Sequence, residues 1–425
     1  MKRTIPIVLV LSWGTAAPAA VHRVPEDYGA IYEAVDAAAA GDSVLIGPGV
    51  WTERDTRVVS MVGAITKRAH AFLKPGLTII GTAGSAATIL QGDALDPSYS
   101  SAIMVYPDNF TGGAIVIQGL TFRGLVSSGG LAGYFAFHST GNGSLEFEDC
   151  VLETSLTAMR VQRAQSVSLT MRSCVLRDND STWPEPLPSG INCLGGADWD
   201  FEDCLFENNV GGRVLLNQTA SPMQTTIRNC RFIGNEGGTV MRLYEQTPLL
   251  VENNWFEGNV GPSNVTGTCV GVSGCAGSIQ QNTFANNEQL GSGVGTIVVL
   301  GPTDLVSNTL YGSSTSPGSN GAGVVLLSGS DVVHFHSNII AGCRGGPAVL
   351  RGSADYNPTD GCNVFWDNDS GDFVNYVPQP TDVHIDPMFC NAPNLDFTLS
   401  AFSPCLPGGI PTCGLIGAWD QGCGV

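Results

Sequence analysis

FEDCLFENNVGG, residues 201–212, returns soon afterwards as IRNCRFIGNEGG, residues 227–238. Taking the cysteine of each stretch as a reference position, which we call the slot, the same frame recurs at uneven intervals along the chain. The slots are Cys150, Cys174, Cys204, Cys230, Asn254, Asn282, Asn308, Asn338 and Asn363. In IQGLTFRG, residues 117–124, Leu120 takes the slot of one further unit. A frame that survives uneven spacing indicates a tandem structural repeat of about ten coils.

Apolar residues hold fixed places around the slot. Two places after it stands a large apolar residue in all nine frames, and three places before it the residue is again apolar, with Asp360 as the exception. Short alternating runs broken by Asn and Gly predict strands and tight turns. Such a unit cannot bury its own apolar face, so stacking on its neighbours must supply the core. The prediction is an all-β solenoid, with asparagines that tolerate the left-handed turn conformation and bond along the axis.

The chain resembles the right-handed parallel β-helix, or pectate-lyase-like, superfamily over nearly its whole length. VPEDYGAIYEAVDAAAAGDSVLIGPGVWTE, residues 24–53, resembles that family's start, with a capping helix that has Ile31, Val35 and Ala38 on one face and Gly41 at its C-terminal cap. LTIIGTAGSAATILQG, residues 77–92, is similar to a first full coil. DPMFCNAPNLDFTLSAFSPCLPGG, residues 386–409, and CGLIGAWD, residues 413–420, resemble a closing module expected to cap the last coil.

These observations divide the chain into four segments. They are a signal peptide over 1–19, an N-terminal cap and first strands over 20–76, β-helix coils over 77–380, and a Cys-containing C-terminal capping module over 381–425. The first segment has Lys2 and Arg3 before an apolar run, and it ends on the small residues Ala17, Pro18 and Ala19. It predicts a secreted or cell-surface protein, and no stretch is long enough for a membrane span.

Composition narrows the possible partners. With 38 acidic and 19 basic residues the net charge is -19, which repels nucleic acids and anionic membranes. Thirteen cysteines fit an oxidising exterior. A polysaccharide is the predicted partner, and the protein is expected to be a monomer.

The cysteines fall into two predicted groups. Those in the slots are expected to be buried thiols, with two stacked disulfides as the alternative, because adjacent coils lie about 4.8 Å apart while bridged Cβ atoms approach about 3.8 Å. Disulfides are expected elsewhere. Cys269 and Cys275 could clip a loop, and the C-terminal module holds an even set with three possible connectivities: Cys390, Cys405, Cys413 and Cys423.

Twelve places before the slot, successive coils carry polar residues: His138, Gln162, Asn192, Gln218 and Arg242. Arg160 and Tyr244 are expected nearby. Five polar residues in a row could line a groove that binds a sugar chain. The alternative is an outward face that is polar because it meets water.

Two functions follow from this row. The first is a non-catalytic carbohydrate-binding or surface-interaction scaffold. The second is a calcium-dependent polysaccharide lyase or a glycoside hydrolase, which the family resemblance implies. The polygalacturonase motifs Asn-Thr-Asp, Asp-Asp, Gly-His-Gly and Arg-Ile-Lys are missing, and the row contains no carboxylate pair for hydrolysis. Beyond the signal segment the lysines are Lys67 and Lys74, so Arg160 or Arg242 would be the base of a lyase.

The acidic stretch WDNDSGD, residues 366–372, is a candidate metal site. Asp367, Asp369 and Asp372 surround Gly371, and carboxylates at a glycine turn can collect the oxygen ligands that calcium prefers. The alternative is a solvated turn. The cofactor prediction is therefore none, or calcium.

Overall fold

A computed structural model describes the chain at residues 18–61, 63–92, 100–106, 113–124, 135–139, 143–162, 167–181, 189–218, 222–261, 267–291, 295–317, 321–327, 334–352, 358 and 360–424. The predicted signal peptide lies outside these ranges apart from Pro18 and Ala19. Within them, no helix has the length and apolar character needed to cross a membrane.

Three long parallel sheets run the length of the molecule, and each coil adds one strand to every sheet. The first sheet consists, in spatial order, of Val21–Val24, Ser43–Ile46, Thr78–Gly81, Ile115–Gln118, Gly143–Glu148, Val167–Arg172, Ala197–Glu202, Met223–Arg228, Gln246–Glu252, Gly277–Gln280, Thr303–Val306 and Phe335–His336. The second consists of Gly49–Trp51, Thr88–Gln91, Thr121–Arg123, Val151–Glu153, Val175–Arg177, Leu205–Glu207, Arg231–Ile233, Trp255–Glu257, Thr283–Ala285, Thr309–Tyr311, Ile339–Ala341, Val364–Trp366 and Val383–His384.

The third sheet begins with an antiparallel hairpin and continues in parallel. It consists of Asp55–Met61, Gly63–Ala69, Ser100–Tyr106, Phe135–Ser139, Thr157–Gln162, Ile191–Leu194, Leu215–Gln218, Met241–Tyr244, Val270–Ser273, Ile297–Leu300, Val324–Leu327, Val349–Arg351 and Phe373–Val374, with Ala71–Phe72 pairing to one side. Two small sheets complete the structure: Val260–Gly261, Glu288–Gln289 and Ser314–Thr315, and then Phe389–Asn391, Asp396–Ser400 and Gln421–Cys423. The helices are Ile31–Ala37 and the 3-10 turn Ala392–Asn394.

The slot confirms the predicted solenoid, because every frame places a second-sheet strand directly after it. The tight turn depends on the residue before the slot, which has a positive φ in all nine frames, from 48° at Asp149 to 64° at Cys362. The slot asparagines therefore do not themselves adopt the left-handed conformation, contrary to the sequence-based expectation. Their role is to fill the interior side of the turn.

Buried asparagines form the predicted ladders along the axis. Each slot side chain from Asn254 to Asn338 donates its Nδ2 to the Oδ1 of the next slot at 3.0 Å. A second ladder, five places after the slot, runs from Asn179 to Asn287 with spacings of 2.8 to 2.9 Å. The four slot cysteines of the earlier coils are free and buried, as predicted. The interior of the turn is thus apolar thiol in the first coils and hydrogen-bonded amide in the later ones.

Aromatic side chains two places after the slot stack in the core. Phe206, Phe232, Phe256 and Phe284 lie ring on ring, with centroids 4.6 to 4.7 Å apart and planes within 8°. The rings follow the spacing of the coils, so each ring stacks on the rings of the neighbouring coils.

Both ends of the solenoid are closed. The N-terminal helix buries Ile31 and Val35 against the core as predicted, and Ala34 with them, but it ends at Ala37, so Ala38 is its C-cap ahead of the expected cap at Gly41. At the other end Phe373 packs on Phe365 and Tyr376 packs on Phe335. Phe373, in the last strand of the third sheet, and Tyr376, which follows that strand, therefore close the core of the final coil.

Most of the C-terminal module does not cap the last coil as expected, although its first strand, Val383–His384, pairs with Val364–Trp366 at that end. It packs sideways on the outward face of the second sheet, where Leu399 and Ile416 bury Ile339. Phe397 packs against Ala285 in the same manner. The outward residues of the second sheet change along the solenoid. Earlier strands such as Val175–Arg177 and Leu205–Glu207 carry a charged residue, whereas the later strands Thr283–Ala285, Thr309–Tyr311 and Ile339–Ala341 carry none. This change of composition marks the covered face.

The disulfides also differ from the expected pairing. Cys390 bonds Cys423 within the module, while Cys413 bonds Cys362, the residue before the last slot. Cys405 is a free buried thiol, so the even set does not pair internally. Cys269 and Cys275 are also free and buried, and the proposed loop clip does not form. Both remain inside because burial among apolar side chains suits a thiol as a small hydrophobe.

Candidate functional site

The predicted polar row resolves into two rows on the outward face of the third sheet. His138, Arg160, Asn192, Leu216 and Arg242 are consecutive partners in register, and we call these five residues the cationic row. Gln162, Leu194 and Gln218 form a second row, two residues further along each strand. Tyr244 follows Arg242 by the same interval.

The sequence mixed the two rows because the link to the slot varies in length. The segment from Arg160 to Cys174 is two residues longer than the segment from Asn192 to Cys204. Counting a fixed number of residues back from the slot therefore selected Gln162 and Gln218 in place of Arg160 and Leu216. The described side chains of both rows lie on the outward face, because adjoining residues such as Met159 and Cys193 belong to the core.

The structure places His138 in strand Phe135–Ser139 and Gln162 at the end of Thr157–Gln162, and the side chains of both lie outside the described residues. Gln218 is exposed and Tyr244 is half-buried. The guanidinium carbon of Arg242 lies 4.6 Å from the centroid of the Tyr244 ring, a cation–π contact that orients both side chains.

Two polar atoms of the cationic row are buried without a hydrogen-bond partner. Asn192 is 3% exposed and Arg242 is 7% exposed, and Oδ1 of the former and Nε of the latter have no partner among the described residues. An unsatisfied buried polar atom costs about 1–3 kcal/mol, so natural proteins rarely retain one without a reason. A ligand that supplies both a donor and an acceptor would satisfy this pair.

Lys67 is a member of this region that the sequence analysis did not select. It lies in strand Gly63–Ala69 of the third sheet and is 1% exposed. Burial, followed by repulsion from the Arg160 guanidinium, lowers the pKa of Lys67 to about 7. Burial also lowers the pKa of Arg160 itself. The available signal was strand alternation, which puts Lys67 on the same face as the apolar residues Ile65 and Ala69.

Positive charge is concentrated on this face of the third sheet. Lys67, Arg160 and Arg242 place positive charge on one face of a chain whose net charge is -19. Asn192 lies one strand from Arg160, and Arg242 lies three strands from it, a span of about 14 Å at about 4.8 Å per strand. Within the cationic row itself there is no carboxylate. The face suits an extended ligand that carries negative charge.

The acidic stretch 366–372 does not converge on one point. Asp367 pairs with Arg344, with Nη2 and Oδ2 2.5 Å apart, and Asp369 accepts the Gly345 N–H at 2.9 Å. Asp372 accepts from Asn368 at 2.8 Å and contacts Nδ1 of His384 at 2.8 Å. No set of three or more acidic, histidine or cysteine side chains suited to a metal occurs in the described part of the chain. A calcium ion here stays a prediction, and it would have to displace these partners.

Comparison with known proteins bears on the fold. Residues 101–288 match the family model described as "Right handed beta helix region". A search of curated protein sequences found no match.

Solved structures with a similar fold have low sequence identity. A mannuronan C-5 epimerase A-module of Azotobacter vinelandii aligns with a TM-score of 0.49 at 12% identity, covering 86% of this chain and 100% of that one. A pectate lyase aligns at 0.48 with 13% identity, covering 96% and 97% of the two chains. A PL6 family alginate lyase aligns at 0.40 with 13% identity, covering 87% and 54%. Together with the three parallel sheets, the match over residues 101–288 shows that the chain has a right-handed parallel β-helix fold.

Proposed function

We propose that this protein is a secreted β-helix that binds an acidic polysaccharide along the cationic row. The observation that carries the proposal is the pair of unpartnered buried atoms, Asn192 Oδ1 and Arg242 Nε, in register with Arg160. A uronic acid residue offers carboxylate oxygens to guanidinium groups and a hydroxyl to an amide oxygen. Asn192 and Arg242 lie two strands apart, about 10 Å, so neighbouring uronic acid residues of one chain would satisfy the two orphaned atoms.

The rest of the molecule supports the choice of an acidic ligand. Because the chain as a whole is strongly negative, a polyanion is repelled from most of the surface and guided to the face that carries the arginines. Repetition along the axis also suits a polymer, since each coil presents one residue of the row. Secretion is consistent with the two disulfides, which persist in oxidising compartments.

Lys67 favours a second candidate function, cleavage of the bound polysaccharide by β-elimination. With a pKa of about 7 its amine is largely neutral at mildly alkaline pH and can accept a proton. Arg160, which is close enough to influence that pKa, would neutralise the uronate carboxylate. The amine takes the proton next to the carboxylate, a carbon–carbon double bond forms, and the glycosidic C–O bond breaks. A proton from solvent completes the leaving alcohol.

The binding proposal is tested by calorimetry with polygalacturonate and alginate. We expect Arg242→Ala to weaken binding by about tenfold or more, since a charge-assisted hydrogen bond contributes about 1.5–3 kcal/mol. Asn192→Ala should weaken it several-fold, since a neutral hydrogen bond contributes about 0.5–1.5 kcal/mol. Arg231→Ala is the matched control, because Arg231 is exposed on the second sheet and its loss changes the net charge equally. Equal losses in Arg231→Ala and Arg242→Ala would disprove a localised site.

The cleavage candidate needs a separate measurement. Unsaturated uronide ends should accumulate with the wild-type protein and be lost in Lys67→Met, while that variant still binds the polymer. Binding without unsaturated ends at any pH between 7 and 10 would leave the protein as a binding module. Product formation that survives Lys67→Met would exclude this lysine as the base.

A further inference from the structure

A cleft lies between the second sheet and the C-terminal module, on a different sheet from the cationic row. Its floor is an outward row in which Tyr311, Ala341 and Trp366 follow one another on adjacent strands. Ala341 is 1% exposed, whereas Trp366 is 37% exposed. A small residue between two aromatic ones leaves space above itself, and the resulting cleft measures about 320 Å³.

The module supplies the opposite wall of the cleft. Asp386, Met388 and Asn391 line it, and all three are exposed. The wall is anchored by the Cys390–Cys423 disulfide and by the Met388 N–H, which donates to Asp386 Oδ1 at 2.8 Å. The cleft is thus a formed recess with an apolar floor, polar groups on one side and an aromatic ring on the other.

The indole of Trp366 is itself supported. Its ring centroid lies 5.7 Å from that of His384, and Nδ1 of His384 contacts Asp372 Oδ2 at 2.8 Å. A partly exposed tryptophan held in place beside an open recess offers a flat apolar surface with little conformational freedom left to lose on binding.

We propose that this cleft binds a neutral hexose unit of a glycan, with Trp366 as the stacking platform and Asp386 and Asn391 as hydrogen-bonding partners of the sugar hydroxyls. The face of a pyranose ring is apolar and its edge is polar, which matches the arrangement of floor, ring and rim. The Asp386 carboxylate repels uronates, so the ligand class differs from that of the cationic row. The protein would therefore hold two chemically different glycans on two faces.

The experiment uses the full chain and four neutral hexasaccharides: β-1,4-glucan, β-1,3-glucan, α-1,4-glucan and β-1,4-mannan. Binding is followed by calorimetry and by tryptophan fluorescence. We expect at least one of them to bind saturably, Trp366→Ala to weaken binding about tenfold or more, and Trp366→Phe to retain part of it. Phe402→Ala is the matched control, because Phe402 is 68% exposed and does not line the cleft.

Two results would overturn the proposal: no binding of any of the four sugars, or equal affinity in Trp366→Ala and the wild type. An unchanged melting temperature of Trp366→Ala shows that the variant is folded. Polygalacturonate serves as a second probe. Its binding should be unaffected by Trp366→Ala and weakened by Arg242→Ala, so failure of the hexose site is distinguishable from failure of the acidic-polysaccharide site.

Discussion

Trp419 donates its indole N–H to Thr283 Oγ1 at 2.7 Å, a contact between residues 136 apart in sequence. Beside it the Ala418 N–H donates to Thr309 Oγ1 at 2.9 Å, and the Gly417 N–H donates to the Ser337 carbonyl at 2.7 Å. Three adjoining residues of the C-terminal module are therefore bonded to three successive coils. The module acts as a strap along the side of the solenoid.

Thr283→Val should loosen this strap. Thr283 is 1% exposed, and the substitution removes the acceptor of the indole while preserving side-chain shape. We expect the free energy of unfolding to fall by about 1–3 kcal/mol, the cost of a lost buried partner, and proteolysis of the module to accelerate. Thr398→Val, on the module's own strand Asp396–Ser400, is the comparison. Identical proteolysis of Thr283→Val and wild type would show that the contact contributes nothing.

Asn282→Ala should be among the most damaging single changes. Asn282 accepts from the backbone and side chain of Asn254 and donates to Val251 O and Asn308 Oδ1, all within 3.0 Å. Its loss leaves donors and an acceptor unpaired in the interior, which we expect to cost about 2–5 kcal/mol in a denaturant titration. Asn394→Ala, at an exposed position, should be neutral. If Asn282→Ala lowered the free energy of unfolding no more than Asn394→Ala does, the ladder would not stabilise the fold.

The disulfide pairing predicts a definite peptide map. Under non-reducing conditions Cys362 should be linked to Cys413 and Cys390 to Cys423, and Cys405 should react with alkylating reagent only after unfolding. Because 51 residues separate Cys362 from Cys413, replacing both by serine should cost about 2–4 kcal/mol. Recovery of Cys405 in any disulfide-linked peptide would refute this connectivity.

Lys67 should give the stability a distinctive dependence on pH. Its folded-state pKa of about 7 lies below the usual 10.5, so the unfolded chain holds this proton more tightly. Between these two values unfolding takes up a proton, and the free energy of unfolding should rise by up to about 1.4 kcal/mol per pH unit. Below pH 7 this contribution is flat. Melting temperatures of Lys67→Met should lack the rise, and parallel curves for both proteins would refute the shift.

Calcium binding at the acidic stretch predicts a higher melting temperature with calcium than with chelator. The increment should disappear in Asp369→Asn, since the substitution removes one of the three carboxylates that would hold the ion, while the Gly345 N–H and the Ser370 hydroxyl can still donate to the amide oxygen. Identical melting curves of the wild type with calcium and with chelator would show that this site does not bind calcium.

The fold could be predicted because the slot frame recurs where packing demands it. Cys204 and Asn254 occupy equivalent inward positions, and the apolar residue two places later fills the core in every coil. The cationic row could not be placed by counting, because the third-sheet strand is tied to the slot by links of unequal length. Lys67 was missed for a different reason, since its environment depends on Arg160, which is distant in sequence.

The position of the C-terminal module was hidden for a related reason. The sequence of the module itself fits either a position on the side of the solenoid or a position on its end. The outward residues of the second sheet distinguish the two. Ala285 and Ala341 stand where earlier coils have Glu207 and Arg177. The change in outward residues from coil to coil therefore predicts which part of the second sheet is covered.

The strap has a consequence for how such a chain can change in length. Phe206, Phe232 and Phe256 stack ring on ring at the spacing of the coils, so a complete coil duplicated among them would preserve this stacking. Between Thr283 and Ser337 the same duplication would separate partners of Ala418 and Trp419 that must lie on successive coils. The N-terminal half can thus gain whole coils in evolution or by design. The C-terminal half cannot, because the strap must contact three successive coils at fixed spacing.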